Sequence, residues 1–205
     1  NCTTTGLAIT LAPLHAAFGV ARVFMTSLQA CSGAGRSPGV IALDITDNVI
    51  PYIGGGEEEK IESEPLRILG DFRGGAFVPA SFGLSASVHR VAVSDGHSMA
   101  VFVRLKRKAS AAEAARAFSE FRGEPQERKL PSAPERPIHL LDGVDRPQPR
   151  LDRDREAGMA VSVGRLRQDK LFDFKLEALV HNTIRGAAGA AILNAELLQA
   201  RGLLP

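Results

Sequence analysis

Cys2 and His97 are the residues whose types could do covalent chemistry, one a thiol able to attack a carbon centre, the other an imidazole able to move a proton. Cys2 stands in Asn1-Cys2-Thr3-Thr4-Thr5-Gly6, directly before an apolar run in which Leu7, Leu11, Leu14 and Phe18 fall at the spacing of one buried helical face. The pattern predicts a core helix with the thiol at its amino-terminal end, among hydroxyl residues able to cap it. Unpaired backbone N–H groups and the helix dipole favour negative charge there, so a lowered thiol pKa is expected. The competing reading is a buried small hydrophobe. In Arg90-Val91-Ala92-Val93-Ser94-Asp95-Gly96-His97, the histidine follows a turn and Arg90 sits on an otherwise apolar strand, where a guanidinium suits a carboxylate or phosphate. A turn histidine is also an ordinary surface residue. From the residues alone, the result is a candidate Cys-His pair.

The elements that must hold these groups are read from periodicity. After the first helix, broken or kinked at Pro13, Ala21 to Ala30 reads as a strand buried through Val23, Phe24, Met25 and Leu28, ending in the glycine turn Ser32-Gly33-Ala34-Gly35. Ile41 to Ile50 reads as a short helical segment closed by Pro51. Glu57-Glu58-Glu59-Lys60 opens a helix with acids in its first turn, and a solvated charged face is the default reading of that run. Leu84 to Val93 and Ser98 to Leu105 read as a strand pair joined by the tight-turn signal Asp95-Gly96. Met159 to Leu166 and Phe172 to Val180 form a second pair. In the latter, Phe172, Phe174, Leu176, Ala178 and Val180 point inward and Asp173, Lys175 and Glu177 outward, so one sheet face is wet or lightly covered. Ser110-Ala111-Ala112-Glu113 is a capping box opening a helix to about Phe121. Glu124 to Arg155, with only Ile138 to Leu141 strand-like, is expected to be disordered or to wrap over a neighbour. A small-residue helix from about Arg185 to Ala200 presents Ala188, Ala191, Ile192, Ala195 and Leu198 as a smooth face.

With 205 residues, 44% hydrophobic and 23% charged, the chain has the composition of a globular protein, and a formal charge of +2 with interspersed signs gives no sign of nucleic acid as a partner. No apolar run approaches the ~20 residues that span a membrane. Cys2 and Cys31, without metal-ligand spacing to each other or to the histidines, argue against a metal site and a disulfide framework, and for a reducing, cytoplasmic setting. A chain opening on a helix cap without an initiator methionine is expected to be the tail of something longer.

The longer motifs carry more. They are Asn1-Cys2-Thr3-Thr4, Gln29-Ala30 with Ser32-Gly33-Ala34-Gly35, Asp47-Asn48-Val49-Ile50-Pro51, Glu57 to Lys60, Arg90 with His97, Phe121-Arg122-Gly123-Glu124-Pro125-Gln126, Asp145-Arg146-Pro147-Gln148-Pro149-Arg150 and His181-Asn182-Thr183-Ile184-Arg185-Gly186-Ala187-Ala188-Gly189. Across nearly its whole length the chain resembles the carboxyl-terminal, catalytic half of the archaeal and fungal aspartate-semialdehyde dehydrogenases. The resemblance implies one α+β catalytic and dimerisation domain over residues 1–205. Its mixed, largely antiparallel sheet would carry helices on one face, as in the catalytic domain of glyceraldehyde-3-phosphate dehydrogenase. It further implies NADPH-dependent reduction of aspartyl 4-phosphate to aspartate 4-semialdehyde through a cysteine thioester, in lysine, threonine and methionine biosynthesis. By the same resemblance Cys2 is the nucleophile, His97 the acid-base partner, and Gln29 the group orienting the acyl chain. Arg90 holds the substrate carboxylate, Glu57 its ammonium, and Lys60 with Asn1 the phosphate. Asn182 lies beside the nicotinamide of NADP, with Ser32 and Gly33 also at the cofactor, and the domain assembles as a homodimer or homotetramer.

Two departures accompany the resemblance. Arg36-Ser37-Pro38 stands where many relatives have tyrosine before the proline, adding charge near the expected pocket. The family's dinucleotide-binding Rossmann half precedes the cysteine, and only Asn1 precedes it here, so the fragment alone is expected neither to bind NADP tightly nor to turn over; the last helix, about 185–200, is expected to pack on that missing half. The alternatives are an acyl-CoA reductase on the same scaffold, such as malonyl-CoA reductase, and a non-catalytic assembly module.

Overall fold

The computed structural model describes residues 1–36 and 39–204; Ser37 and Pro38, part of the Arg36-Ser37-Pro38 departure, lie outside the described residues. Helix α1 spans Cys2–Phe18 and buries Leu7, Leu11 and Leu14 completely, each contributing on the order of 2 kcal/mol through removal from water. Its cap is Asn1, whose Oδ1 accepts from the Thr4 N–H at 3.0 Å. The hydroxyls do not cap: Thr3 and Thr4 Oγ1 are buried without a hydrogen-bond partner among the described residues, and Thr5 Oγ1 donates to the Asn1 carbonyl. Of the break or kink expected at Pro13, no break occurs: α1 runs through it as one helix. Proline costs the helix its bond to the Ile9 carbonyl. Burial of the leucine face on either side of Pro13 outweighs that loss.

Strand β1 (Val20–Gln29) is an interior strand of the sheet. It is followed by a single 3-10 turn, Cys31–Ala34, then α2 (Ala42–Ile45), β2 (Val49–Ile50), α3 (Glu57–Ile68), a small hairpin of β3 (Asp71–Arg73) and β4 (Ala76–Val78), β5 (Gly83–Val91) and β6 (His97–Leu105). The helix expected over Ile41 to Ile50 is therefore only four residues long, because Val49 and Ile50 pair antiparallel with Val91 and Arg90 at the end of β5. The hairpin expected across Asp95-Gly96 does not form. β1 lies between its two arms, parallel to β5 on one side and antiparallel to β6 on the other. Gly96, at φ 98°, directs its N–H to Asn182 Oδ1 at 2.8 Å.

The second half supplies α4 (Ala111–Glu120), α5 (Glu124–Glu127), β7 (Ile138–Leu141), α6 (Pro149–Asp152), β8 (Val161–Gln168), β9 (Phe174–Val180), a wide helical turn Ile184–Ala188 and α7 (Gly189–Ala200). The Ser110/Glu113 capping box opens α4, and β8 and β9 pair antiparallel, both as the sequence predicts. The sheet order is β2-β5-β1-β6-β9-β8-β7, with β1/β5 and β7/β8 parallel and the other pairs antiparallel. This is the mixed, largely antiparallel α+β sheet expected, with α1, α3 and α4 packed on one face.

The other face is open. Phe24 and Leu28, expected inside, are 40% and 43% exposed, because β1 alternates and only its Val23, Met25 and Ser27 side meets the helices. Phe172 also departs from the inward set of β9: its ring lies 5.9 Å from that of Phe102, which in turn lies 6.1 Å from that of Phe24. The segment from Glu124 to Arg155 is ordered and wraps its own domain. Its anchor is Asp152, buried beneath Arg146, Arg155 and the Gln148 N–H. On α7, Leu193 is the buried residue, and Ala188, Ala191, Ile192, Ala195 and Leu198 are exposed. No described helix is long and apolar enough to cross a membrane, and no cluster of His, Cys, Asp and Glu among the described residues could hold a metal ion.

Candidate active site

Three strands deliver one row of polar side chains to the end of the sheet. Gln29, the last residue of β1, lies opposite Arg90 on β5; Leu28 lies opposite Ser98, which makes His97 the next position on β6. Gln29, Arg90 and His97 are all buried on the helix side. The amino-terminal end of α1 closes over that row, so Cys2 Sγ comes within 3.3 Å of His97 Nε2. Gly186 makes the approach possible from behind, since a Cβ there would come within 2.6 Å of the Cys2 Cβ.

Ala30 orients two of these groups with one residue. Its N–H donates to His97 Nδ1 at 3.1 Å, and its carbonyl accepts from Arg90 Nη1 at 2.7 Å. A backbone N–H can only donate, so Nδ1 is the acceptor and the neutral imidazole carries its proton on Nε2, facing the sulfur. Burial, reinforced by Arg90, pushes the His97 pKa down to about 3. The imidazole is therefore neutral at physiological pH. Gly33 lies against both partners, because a Cβ there would come within 2.9 Å of Arg90 Nη1 and of His97.

The thiol departs from expectation. Burial and the nearby Glu57 carboxylate raise its pKa above the ordinary thiol value, outweighing the Thr3 and Cys2 backbone N–H groups that lower it. Glu57, at the start of α3, is held by Gln29, whose Nε2 donates to its Oε1 at 3.0 Å and to Ser27 Oγ at 3.2 Å. Burial likewise lowers the Arg90 pKa, against the attraction of Cys31, Glu57 and Cys2. Arg90 also lines a cleft of about 450 Å³ with Ala34, Ile41, Tyr52 and Ile53.

Asn182 is buried and both ends of its amide are engaged: Oδ1 accepts from Gly96 N–H, and Nδ2 donates to Ser32 Oγ at 2.8 Å. It ties the loop before His97 to the 3-10 turn after β1. Arg153, after α6, buttresses the same loop through Ser94 Oγ at 3.0 Å and the Asp95 carbonyl at 3.1 Å. Lys60 is exposed one turn beyond Glu57 and bonds none of these groups, and Asn1 serves as the α1 cap. The sequence also left unnoticed that Glu58 and Glu62 accept the Val88 and Ala86 N–H groups, each at 3.0 Å, where β2 is too short to cover the edge of β5. Their i, i+4 spacing on α3 was the available signal.

A mixed sheet covered by helices on one face, with a thiol and an imidazole meeting at its end, defines an α+β domain built around a Cys-His site. A family model described as semialdehyde dehydrogenase, dimerisation domain, matches residues 11–185, and the chain belongs to that family. It is 52% identical over 200 residues to an aspartate-semialdehyde dehydrogenase of Methanothermobacter thermautotrophicus, covering 97% of this chain and 57% of that protein. A second such protein, from Archaeoglobus fulgidus, is 51% identical over 97% of this chain and 56% of its own length. The crystal structure of aspartate semialdehyde dehydrogenase with NADP from Candida albicans superposes with a TM-score of 0.90 at 44% identity, covering all of this chain and 57% of that one. The chain thus spans somewhat more than half the length of these relatives.

Proposed function

We propose that this domain provides the nucleophile and the substrate pocket of an NADP-dependent aspartate-semialdehyde dehydrogenase, reducing aspartyl 4-phosphate to aspartate 4-semialdehyde in the cytoplasmic synthesis of lysine, threonine and methionine. The observation that carries the reading is the 3.3 Å approach of Cys2 Sγ to a neutral His97 with its proton on Nε2, beside a buried arginine and a glutamate. Cys2 loses its proton to solvent and, as thiolate, attacks the acyl carbon; the C–O bond to phosphate then breaks from the tetrahedral adduct, leaving a thioester and free phosphate. His97 enters as a hydrogen-bond donor, first to sulfur and then to the developing oxyanion. In the family-like pocket Arg90 takes the substrate carboxylate, Glu57 the ammonium, and Lys60 with Asn1 the phosphate, while Gln29 holds Glu57 in place. The substrate ammonium has a second effect. By neutralising Glu57 it removes part of what raises the thiol pKa.

For the cofactor, exposed Gly33, beside His97, and its half-buried neighbour Ser32 fit the edge of a nicotinamide, and Asn182 acts through the Ser32 hydroxyl it holds. When bound, NADPH supplies the reducing equivalents that convert thioester to aldehyde. The open sheet face with Phe24, Phe102 and Phe172 suits a second copy, in keeping with a dimerisation-domain family.

The test is phosphate-dependent reduction of NADP by aspartate semialdehyde, measured on the gene product in full. Activity that falls to background in Cys2→Ala supports the reading. With Glu57→Gln, a loss of ~100-fold or more in kcat/KM supports an ammonium site. Indifference to that substitution points to an acyl-CoA substrate without an amine, and inactivity of the folded wild type to a non-catalytic module.

A further inference from the structure

Glu58 bridges the two elements that carry the candidate amino-acid-binding groups. Glu57, assigned to the ammonium, opens α3, and Arg90, assigned to the carboxylate, lies near the end of β5. An α-amino acid bears both charges on one carbon, so an anion and a cation that hold them together must keep a fixed separation. The chain entering α3 does not set it. Gly54-Gly55-Gly56 precedes Glu57, with φ of 79° at Gly55 and 71° at Gly56, and no side chain caps the helix. Gln29 holds the Glu57 carboxylate at 3.0 Å, but from β1.

Among the described residues, two side-chain hydrogen bonds join α3 to β5. Glu58 Oε1 accepts the Val88 N–H at 3.0 Å, and Glu62 Oε1, one helical turn on, accepts the Ala86 N–H at 3.0 Å. Both glutamates are half-buried. The bonds are alike in chemistry and length and differ in place. Glu58 is adjacent to Glu57, and its acceptor oxygen grips β5 at Val88, which is buried on the same strand face as Arg90. The Glu62 bond lies farther from both groups.

We propose that Glu58 is a positioning residue for substrate recognition: its bond to the Val88 N–H sets the distance between Glu57 on α3 and Arg90 on β5. This rests on the substrate roles proposed above for those two residues. Glu62, which closes the edge of β5 away from the site, serves the fold alone.

The test compares Glu58→Ala, Glu58→Gln and Glu62→Ala in the gene product in full, by KM and kcat for aspartate semialdehyde and by the pH profile of Cys2 alkylation with iodoacetamide. Glu58→Ala is expected to raise KM about tenfold with kcat little changed, as when an interaction common to ground and transition states is lost. Glu58→Gln keeps an acceptor oxygen and is expected to stay within about threefold of wild type. Glu62→Ala loses an equal bond, so it is expected to lower the melting temperature as Glu58→Ala does while leaving KM in place. The alkylation profile needs no turnover. The Glu57 carboxylate raises the thiol pKa, so its displacement in Glu58→Ala is expected to move the profile to lower pH, with no movement in the other two variants. A folded wild type inactive toward aspartate semialdehyde would sink the substrate assignment, and the profile would then decide the positioning role by itself. If Glu58→Ala does not fold, Glu58→Asp, which keeps the charge and shortens the reach by one methylene, takes its place with the same expectations. A KM or a profile unchanged in Glu58→Ala, or equal changes in Glu58→Ala and Glu62→Ala, overturns the proposal.

Discussion

The Ala30 N–H points at Nδ1 of His97 from 3.1 Å, and that one bond fixes which nitrogen of the imidazole faces the Cys2 thiol with a proton. In selectively labelled protein, the His97 Nε2 resonance should be that of a protonated nitrogen and Nδ1 that of an unprotonated one, with no change between pH 8 and pH 5. A Nδ1-protonated ring would remove the basis for the donor role.

The same burial makes a stability prediction. The His97 pKa is about 3 in the folded chain against an ordinary 6.5, so between those values the unfolded state binds the proton and the native state does not. Stability is complete above about pH 6.5 and falls with acidification by about 1.4 kcal/mol per pH unit. Denaturant titrations at pH 7, 6 and 5 should show that slope, and His97→Asn should flatten it by about one proton.

Cys2 should alkylate slowly at neutral pH. Its raised pKa predicts an iodoacetamide rate that climbs about tenfold per pH unit through pH 8 and shows no plateau below pH 9. Glu57→Gln removes the carboxylate that contributes to the rise, so the profile should move to lower pH. A plateau near pH 7 in the wild type would mean that the helix end prevails over burial.

Gly33→Ala brings a methyl group within 2.9 Å of His97 and Arg90. Displacing either by a few tenths of an ångström to 1 Å predicts a fall of about 100-fold in kcat with the fold retained, because reaction geometry is more sensitive than stability. Circular dichroism alongside turnover separates the two, and turnover near that of wild type would show that the turn yields freely.

Asp152→Asn removes the charge at the centre of the Arg146/Arg155 knot. The expected cost is about 3 kcal/mol, or roughly 10 °C in Tm, as for other buried pairs broken on one side. A change within 2 °C would mean that the arm is held by its apolar contacts instead.

What the sequence disclosed depended on whether the determining contacts were local. The helix opening at Cys2, the Ser110/Glu113 box and the alternation of β9 from Phe174 onward are set by neighbours within a few residues, and they appear as expected. Asp95-Gly96 carried a turn signal as strong as any in the chain, yet β5 and β6 are separated by β1, whose pairing with β5 is parallel and leaves no trace in local spacing. The hairpin of β3 and β4 went unread although Gly74-Gly75, both at positive φ, sits between Phe72 and Phe77, whose rings meet at 5.0 Å. The proline-rich arm read as disordered or as wrapping a neighbour, because ion pairs and backbone bonds order it on its own domain, and those have no period. At the site, Cys2, His97, Gln29, Glu57 and Arg90 lie together at one end of the sheet. The thiol pKa went the other way, because burial and a carboxylate far off in sequence govern it.

The row of Gln29, Arg90 and His97 also dates the site within the life of the chain. It exists only when β1 has joined β5 and β6, and the β1–β5 contact closes a loop that includes α2, α3 and the small hairpin. Long-range parallel pairing of this kind is slow to nucleate. Until it forms, Cys2 has neither its imidazole nor its burial and behaves as an ordinary thiol. The change in its alkylation rate during refolding is then a clock for the arrival of native strand register, carried by the residue that the register serves.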